Sequence, residues 1–339
     1  MPNAVLTDAI DRLAGREDLS AGEAAAVLRE VMEGSASEAE TAAFLIALRT
    51  KGETVQELAG LARTMRELST RVDSGHDDLV DTAGTGGGRP TFNVSTTAAF
   101  IAAGAGCRVA KHGNRSATSQ CGSADVLEAL GGRIDVSPDM VAECIERVGF
   151  GFMFAPLHHP AFKHILPVRR ELGVRTIFNF LGPLTNPAGA LRQVIGVSDP
   201  AKLETMAAAL GQLGAERALV VSSVDGLDEF SVSGATRVVE LRNGRLTGYD
   251  VNPDDVDLEL SADGTVRAGT PEQNAHVLRD VLSGTAGTER SLAVLNAGAA
   301  IYVAGRADSL AEGVRAAERS IDDGAAASVL ERWVGATAS

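Results

Sequence analysis

Aromatic side chains are scarce in this chain: they make up 4% of its 339 residues, with one tryptophan and two tyrosines. Its cores must therefore be packed from Ala, Val, Leu and Ile, which the 45% hydrophobic content supplies. Cysteine is nearly as rare. Cys107, Cys121 and Cys144 are an odd number without metal-type pairing, which fits a reducing cytosol. Each reads as a small buried hydrophobe rather than a nucleophile. Basic charge is in deficit, 31 Lys and Arg against 45 Asp and Glu, for a formal net charge of −14. That balance argues against nucleic acid or an anionic membrane surface as the main partner. It leaves room for an anionic small substrate, because a local nest of N–H groups and a few Lys or Arg reverse the field. No apolar run approaches the roughly 18 residues of a membrane span, and Met1-Pro2-Asn3 does not begin a secretory signal. The expectation is a soluble cytoplasmic protein of two domains or one elaborated domain.

What the sequence does have is order. Ser20 with Glu23, Ser37 with Glu40 and Thr54 with Glu57 stand at capping-box spacing. Apolar stripes of helical period follow: Ala24, Val27, Leu28, Val31 and Met32, then Leu58, Leu61, Ala62 and Met65. An earlier helix carries Ile10 and Leu13. The first seventy residues thus predict a small all-helical unit, with packing or dimerisation as its default role. From about Asp77 the texture changes to short strands alternating with helices. Strands are predicted over 79–83, 107–110, 151–154, 193–197, 218–222 and 236–241, with helices between them and four more beyond Pro271. This alternation predicts an α/β fold with a largely parallel sheet. Asn243 to Ala268 reads as a hairpin or exposed excursion. The segment 158–190 interrupts the alternation and is placed beside the N-terminal helices. The expected division is a helical domain over 1–72, joined in space by about 160–190, and an α/β domain over 73–159 and 191–339.

Chemistry concentrates at three loops that follow strands. Gly84-Thr85-Gly86-Gly87-Gly88 runs on to Thr91-Phe92-Asn93-Val94-Ser95-Thr96, in the order strand, glycine loop, helix N-terminus. Glycines permit φ > 0 and let successive N–H groups turn towards one anion, and the helix adds its free N–H groups. Ser95 and Thr96 are expected near the N-cap. Taken alone, such a cluster is equally a flexible turn. Lys111-His112-Gly113-Asn114-Arg115-Ser116 supplies cations, an amide and a hydroxyl after the next strand, with Ser119 and Ser123 just beyond. In an open α/β sheet, loops at neighbouring carboxyl ends converge on one crevice, so the two stretches together suit a polyphosphate. Asp225-Gly226-Leu227-Asp228-Glu229 follows a third strand and offers hard carboxylate oxygens for Mg²⁺. His158, His159 and His164 lack a matching ligand cluster and read as structural. Arg169 and Arg170 are either surface charges or partners for a substrate carboxylate.

In this order the motifs resemble the anthranilate phosphoribosyltransferase family over nearly the whole chain. They are the glycine loop with Thr91 to Thr96, Lys111 to Ser116, Cys121 to Asp125 before Leu127 to Gly131, Val168 to Pro187, and Asp225 to Ser231. The resemblance implies a small helical domain and a larger α/β domain of the nucleoside phosphorylase/phosphoribosyltransferase type, as a homodimer joined through the helical domains. It implies transfer of the 5-phosphoribosyl group from 5-phosphoribosyl 1-diphosphate (PRPP) to anthranilate in tryptophan biosynthesis, with Mg²⁺ as cofactor. The PRPP residues it implies are Gly84, Gly87, Gly88, Thr91, Asn93, Val94, Ser95, Thr96, Lys111, His112, Gly113, Asn114, Arg115, Ser119 and Ser123. Anthranilate would meet Gly84, Asn114 and Arg169, and the metal Ser95, Asp228 and Glu229. No catalytic general base is expected. One departure stands out: the family's aspartate after the second pair of glycines is missing here, and the loop is a residue short. A paralogue acting on another aromatic amine, a pyrimidine nucleoside phosphorylase and a non-catalytic PRPP-binding member are the alternatives.

Overall fold

Three hydroxyl–glutamate pairs set the start of the opening helices. The computed structural model describes residues 1–116, 120–261, 266 and 268–338. It begins with α1 (Ala4–Ala14), α2 (Ala21–Met32), α3 (Glu38–Lys51) and α4 (Val55–Glu67). Ser20, Ser37 and Thr54 accept the N–H groups of Glu23, Glu40 and Glu57, and each glutamate reaches back to the cap N–H. The predicted stripes on α2 and α4 are buried in full. These two helices approach backbone to backbone, because a Cβ on Gly60 would stand 2.2 Å from the Ala21 carbonyl oxygen. Any larger residue there would push α4 off α2.

The strands are β1 (Leu79–Gly84), β2 (Arg108–Gly113), β3 (Phe150–Phe154), β4 (Arg192–Gly196), β5 (Arg217–Ser223), β6 (Thr236–Arg242) and β7 (Arg245–Val251). They form one sheet in the order β3-β2-β1-β4-β5-β6-β7. Pairing is parallel from β3 to β5 and antiparallel through β6 and β7. The segment after Arg242 is a hairpin: Asn243 and Gly244 take φ of 51° and 71°, the left-handed pair of a type I′ turn. β2 runs three residues further than predicted, so Lys111, His112 and Gly113 belong to the strand and not to the loop after it.

The remaining helices are α5 (Val94–Gly104), α6 (Ser123–Ala129), α7 (Pro138–Val148), α8 (Ala155–His158), α9 (Leu166–Leu172), α10 (Phe178–Leu181), α11 (Leu203–Gln212), α12 (Pro271–Leu282), α13 (Thr288–Val303), α14 (Leu310–Asp322) and α15 (Ala325–Thr337). The period of two in β4 and β5 divides the interior between the two faces of the sheet. Val194, Leu219 and Val221 join a core with α5, α13 and α15, where Phe100 stacks on Phe150 at 4.3 Å and both meet the edge of Trp333. Ile195, Ala218 and Val220 face the other way, into a core shared with Leu28, Phe44 and Leu61 of the opening helices. Ile165, Val168, Phe178 and Leu181 pack into that same second core. The strand ends that carry the candidate site are therefore fixed from both sides.

Candidate active site

The glycine loop leaves β1 beside β4, where the Thr85 N–H donates to the Gly196 carbonyl at 2.9 Å. This is the point at which the sheet order reverses direction, the usual crevice of an open α/β sheet. Gly86 and Gly87 adopt φ of 66° and 84°, which turns the chain onto the 225–228 turn after β5. There the Gly86 N–H donates to Asp228 Oδ2 at 2.9 Å, and the Arg89 N–H to the Gly226 carbonyl at 2.7 Å. Arg89 also pairs with Asp225 at 3.1 Å. Gly88 lies flat on the turn, since a Cβ there would come within 2.6 Å of Asp228 Oδ1. From the opposite side Arg175 donates to the Gly86 carbonyl at 2.6 Å and to Ser198 Oγ at 3.0 Å. Nothing in the sequence sets Arg175 apart from the other basic residues between 163 and 175, and only the fold shows that it clasps this loop.

Asn93, and not Ser95 or Thr96, is the N-cap of α5, and it makes no side-chain cap bond. Its amide is committed elsewhere: Nδ2 donates to the Cys121 carbonyl at 3.3 Å, and Oδ1 accepts from Asn274 Nδ2 at 3.0 Å. Val94 and Thr96 are fully buried in the first turn. Ser95 Oγ sits between the loop and β2, 3.3 Å from Lys111 Nζ. Lys111 is 1% exposed, and its ammonium also donates to the Thr82 carbonyl at 2.5 Å. Burial pulls its pKa down to about 8, against the pull of Asp81 and Glu229. His112 is buried with Nε2 unpartnered among the described residues, and burial holds its pKa well below the usual imidazole value.

Beyond β2 the chain bends back onto α6. Ser123 Oγ donates to the Asn114 carbonyl at 3.2 Å, and a Cβ on Gly113 would overlap that hydroxyl at 2.2 Å. Arg115 turns away to α6, forming a forked pair with Glu128 and a bond to Asp125 at 2.8 Å. Its guanidinium is committed to α6 and holds the loop down. Ser119 lies outside the described residues.

Asp228 and Glu229 complete the crevice. Both are half-buried, and they share a small pocket with Thr82, Ser95, Gly196 and Asn296. Desolvation raises the pKa of each carboxyl, and for Glu229 the charge of Asp228 adds to the rise. Glu229 receives the Thr91 hydroxyl at 3.4 Å and has no ion pair among the described residues. Two carboxylates and a hydroxyl, all hard oxygens with too little cationic company, suit Mg²⁺ that keeps waters and phosphate oxygens in its remaining positions. Arg169 is on α9. Its guanidinium lies 5.4 Å from the Phe162 ring centre and 5.8 Å from that of Phe178, with no ion pair among the described residues. Burial lowers its pKa. A planar cation held by two rings and lacking an anion is suited to a carboxylate. The structure thus joins Gly86 to Asp228, Thr91 to Glu229, Ser95 to Lys111 and Asn114 to Ser123, but shows no bond from Arg169 to any of them.

Residues 7–69 match the helical bundle domain of a glycosyl transferase family, and residues 76–327 match the a/b domain of that family. An anthranilate phosphoribosyltransferase of Rubrobacter xylanophilus is 54% identical over 97% of each chain. One from Symbiobacterium thermophilum is 52% identical over 95% of this chain and 94% of its own. Among solved structures, the Thermus thermophilus anthranilate phosphoribosyltransferase superposes with a TM-score of 0.93 at 45% identity, over 98% of this chain and 100% of the other. That of Saccharomyces cerevisiae, in complex with PRPP and Mg, gives a TM-score of 0.90 at 27% identity, over 99% and 98%. With the motifs, the fold and these relatives in agreement along nearly its full length, the chain belongs to the anthranilate phosphoribosyltransferase family.

Proposed function

We propose that this chain transfers the 5-phosphoribosyl group of PRPP to the amino group of anthranilate, releasing pyrophosphate in tryptophan biosynthesis. The observation that carries the reading is the half-buried Asp228–Glu229 pair, without a direct ion pair among the described residues and faced by a glycine nest and Ser95. Pyrophosphate leaves C1 of the ribose with oxocarbenium-like charge developing there, and the aromatic amine attacks from the opposite face. An aryl amine is neutral at pH 7, so the reaction has no need of a strong general base. Mg²⁺, when bound, offsets the charge of the pyrophosphate. The chain's own work is to hold Asp228, Glu229 and Ser95 for that ion and to aim N–H groups of the loop and of the α5 N-terminus at the phosphates. Arg169 is assigned to the carboxylate of the acceptor, with Gly84 and Asn114 beside it, and Lys111 to the charge balance beneath the ribose diphosphate.

The helical unit of 1–72, with 160–190 against it, is assigned to dimerisation, and the α/β unit to PRPP. Val5 on α1 and Ile46 on α3 are exposed apolar side chains on helices that pack together, which supports that surface. A cytoplasmic setting fits three buried cysteines that form no disulfide among the described residues, and the absence there of a helix long and apolar enough to cross a membrane. The deciding experiment follows anthranilate fluorescence in the presence of PRPP and Mg²⁺. Signal loss dependent on both compounds is expected, and a constant signal over a wide Mg²⁺ range overturns the assignment.

A further inference from the structure

β1 and β2 are neighbours, yet their register covers only Leu79↔Arg108 and Val80↔Val109. Each pairs with its other neighbour over five positions, as far as Gly84↔Gly196 and Gly113↔Phe154. The two strands therefore part at their carboxyl ends, between the glycine loop and the Lys111–Ser116 stretch. A continued parallel ladder would join the Thr82 N–H to the Ala110 carbonyl and the His112 N–H to the Thr82 carbonyl. In this interior, groups left without partners would be costly.

Side chains take three of those four places, and the carboxyl of Asp81 lies beside the fourth, the Thr82 N–H. Asp81, fully buried, accepts the His112 N–H on Oδ1 at 3.2 Å. Its Oδ2 accepts Asn186 Nδ2 at 2.7 Å. The same amide nitrogen donates to the Ala110 carbonyl at 2.8 Å, and Lys111 Nζ covers the Thr82 carbonyl. Asn186 is 2% exposed, and its Oδ1 accepts the Ala188 N–H at 2.9 Å, which fixes the amide's orientation. All the donors around Asp81 point inwards, so it serves as a carboxylate and not as an acid. An amide in its place would set its NH₂ group against Asn186.

We infer that Asp81 and Asn186 are positioning residues that hold β1 and β2 apart and so set the gap in which the phosphoribosyl group lies. This rests on the assignment of PRPP to that crevice. The same two bonds anchor the segment around Asn186 to β1 and β2.

The test uses the full chain as wild type, Asp81→Asn and Asn186→Ala, with PRPP and anthranilate each varied at saturating Mg²⁺. Wild-type turnover is the control on the assignment itself; if the wild type consumes no anthranilate with PRPP, that assignment fails along with this inference. With wild type active, D81N is expected to raise KM for PRPP by about tenfold or more, the scale of losing a charge-assisted bond. KM for anthranilate should stay within about twofold, and Asn186→Ala should move the PRPP value in the same direction by less. A residue with only a structural role would lower the melting temperature and the folded fraction while leaving KM for PRPP at the wild-type value. That outcome in D81N overturns the inference. If D81N yields no folded protein, an unchanged KM for PRPP in folded Asn186→Ala overturns it equally.

Discussion

Two carboxyl groups side by side in a half-buried turn repel one another, and Arg175 and Lys111 offset this only from beyond ion-pair distance among the described residues. The Asp228→Asn, Glu229→Gln double variant removes the repulsion together with the metal's ligands. Its metal-free form is expected to melt no lower than wild type, while the Mg²⁺ needed for half-maximal rate rises at least about 10- to 100-fold. A Mg²⁺ titration of the steady-state rate checks this, and normal rates at limiting Mg²⁺ would contradict it. Arg169 is the matching case on the acceptor side. Loss of a charge-assisted pair costs about 1.5–3 kcal/mol, so Arg169→Ala should raise KM for anthranilate about tenfold or more with little change for PRPP. Initial rates with each substrate varied in turn separate the two. Losses on the scale of an abolished nucleophile are not expected at either site, because none of these three side chains forms a covalent bond to substrate.

At the scale of elements, Glu57 joins three helices through one buried carboxylate. It accepts the Leu19 N–H before α2, the Thr54 N–H at the cap of α4, and Lys51 at the end of α3. Glu57→Ala leaves Lys51 without this partner and the two N–H groups bare, so a loss of about 3–5 kcal/mol is expected by denaturant titration. His159 gives the pH dependence of its segment. Burial holds its imidazole near pKa 4, below the unfolded value of 6.5. Its contribution is therefore present above pH 6.5 and lost as pH falls towards 4, on the order of 3 kcal/mol in full. Asp81, held up at about 6, slopes the other way. The effect is accordingly read as a difference: the melting-temperature gap between wild type and His159→Gln should shrink as the pH falls from 6.5 to 4.5. Much at this scale was legible in the sequence. The capping boxes, the apolar stripes of α2 and α4 and the strands over 193–197 and 218–222 all depend on local chemistry that neighbours in sequence display. The length of β2 was not, because Lys111 and His112 are polar residues whose burial rests on Asp81, Thr82 and Asn186. The N-cap of α5 was misplaced for a related reason: the hydroxyl of Ser95 looks like a cap, but is turned towards a lysine on another strand. Arg175 was invisible because its role consists of a contact across 89 residues.

For the whole molecule, the shared core beneath the sheet makes the helical bundle and the α/β unit one packing problem. If the outer faces of α1 and α3 join two copies, Val5→Glu with Ile46→Asp should halve the sedimenting mass while leaving the single-chain fold intact, as read by circular dichroism. A mass unchanged from wild type would place the interface elsewhere. The scarcity of aromatics has its own consequence at this scale. The chain's one indole, on Trp333, sits against Phe100 and Phe150, and the tyrosines Tyr249 and Tyr302 lie in the same half; the first 72 residues have neither type. Excitation at the red edge of protein absorbance therefore reports on a single chromophore, and it is blind to the opening bundle. Far-ultraviolet ellipticity sees every helix. Followed together through a denaturant ramp, the two signals give a spectroscopic record, without any added label, of whether the bundle lets go before the sheet does.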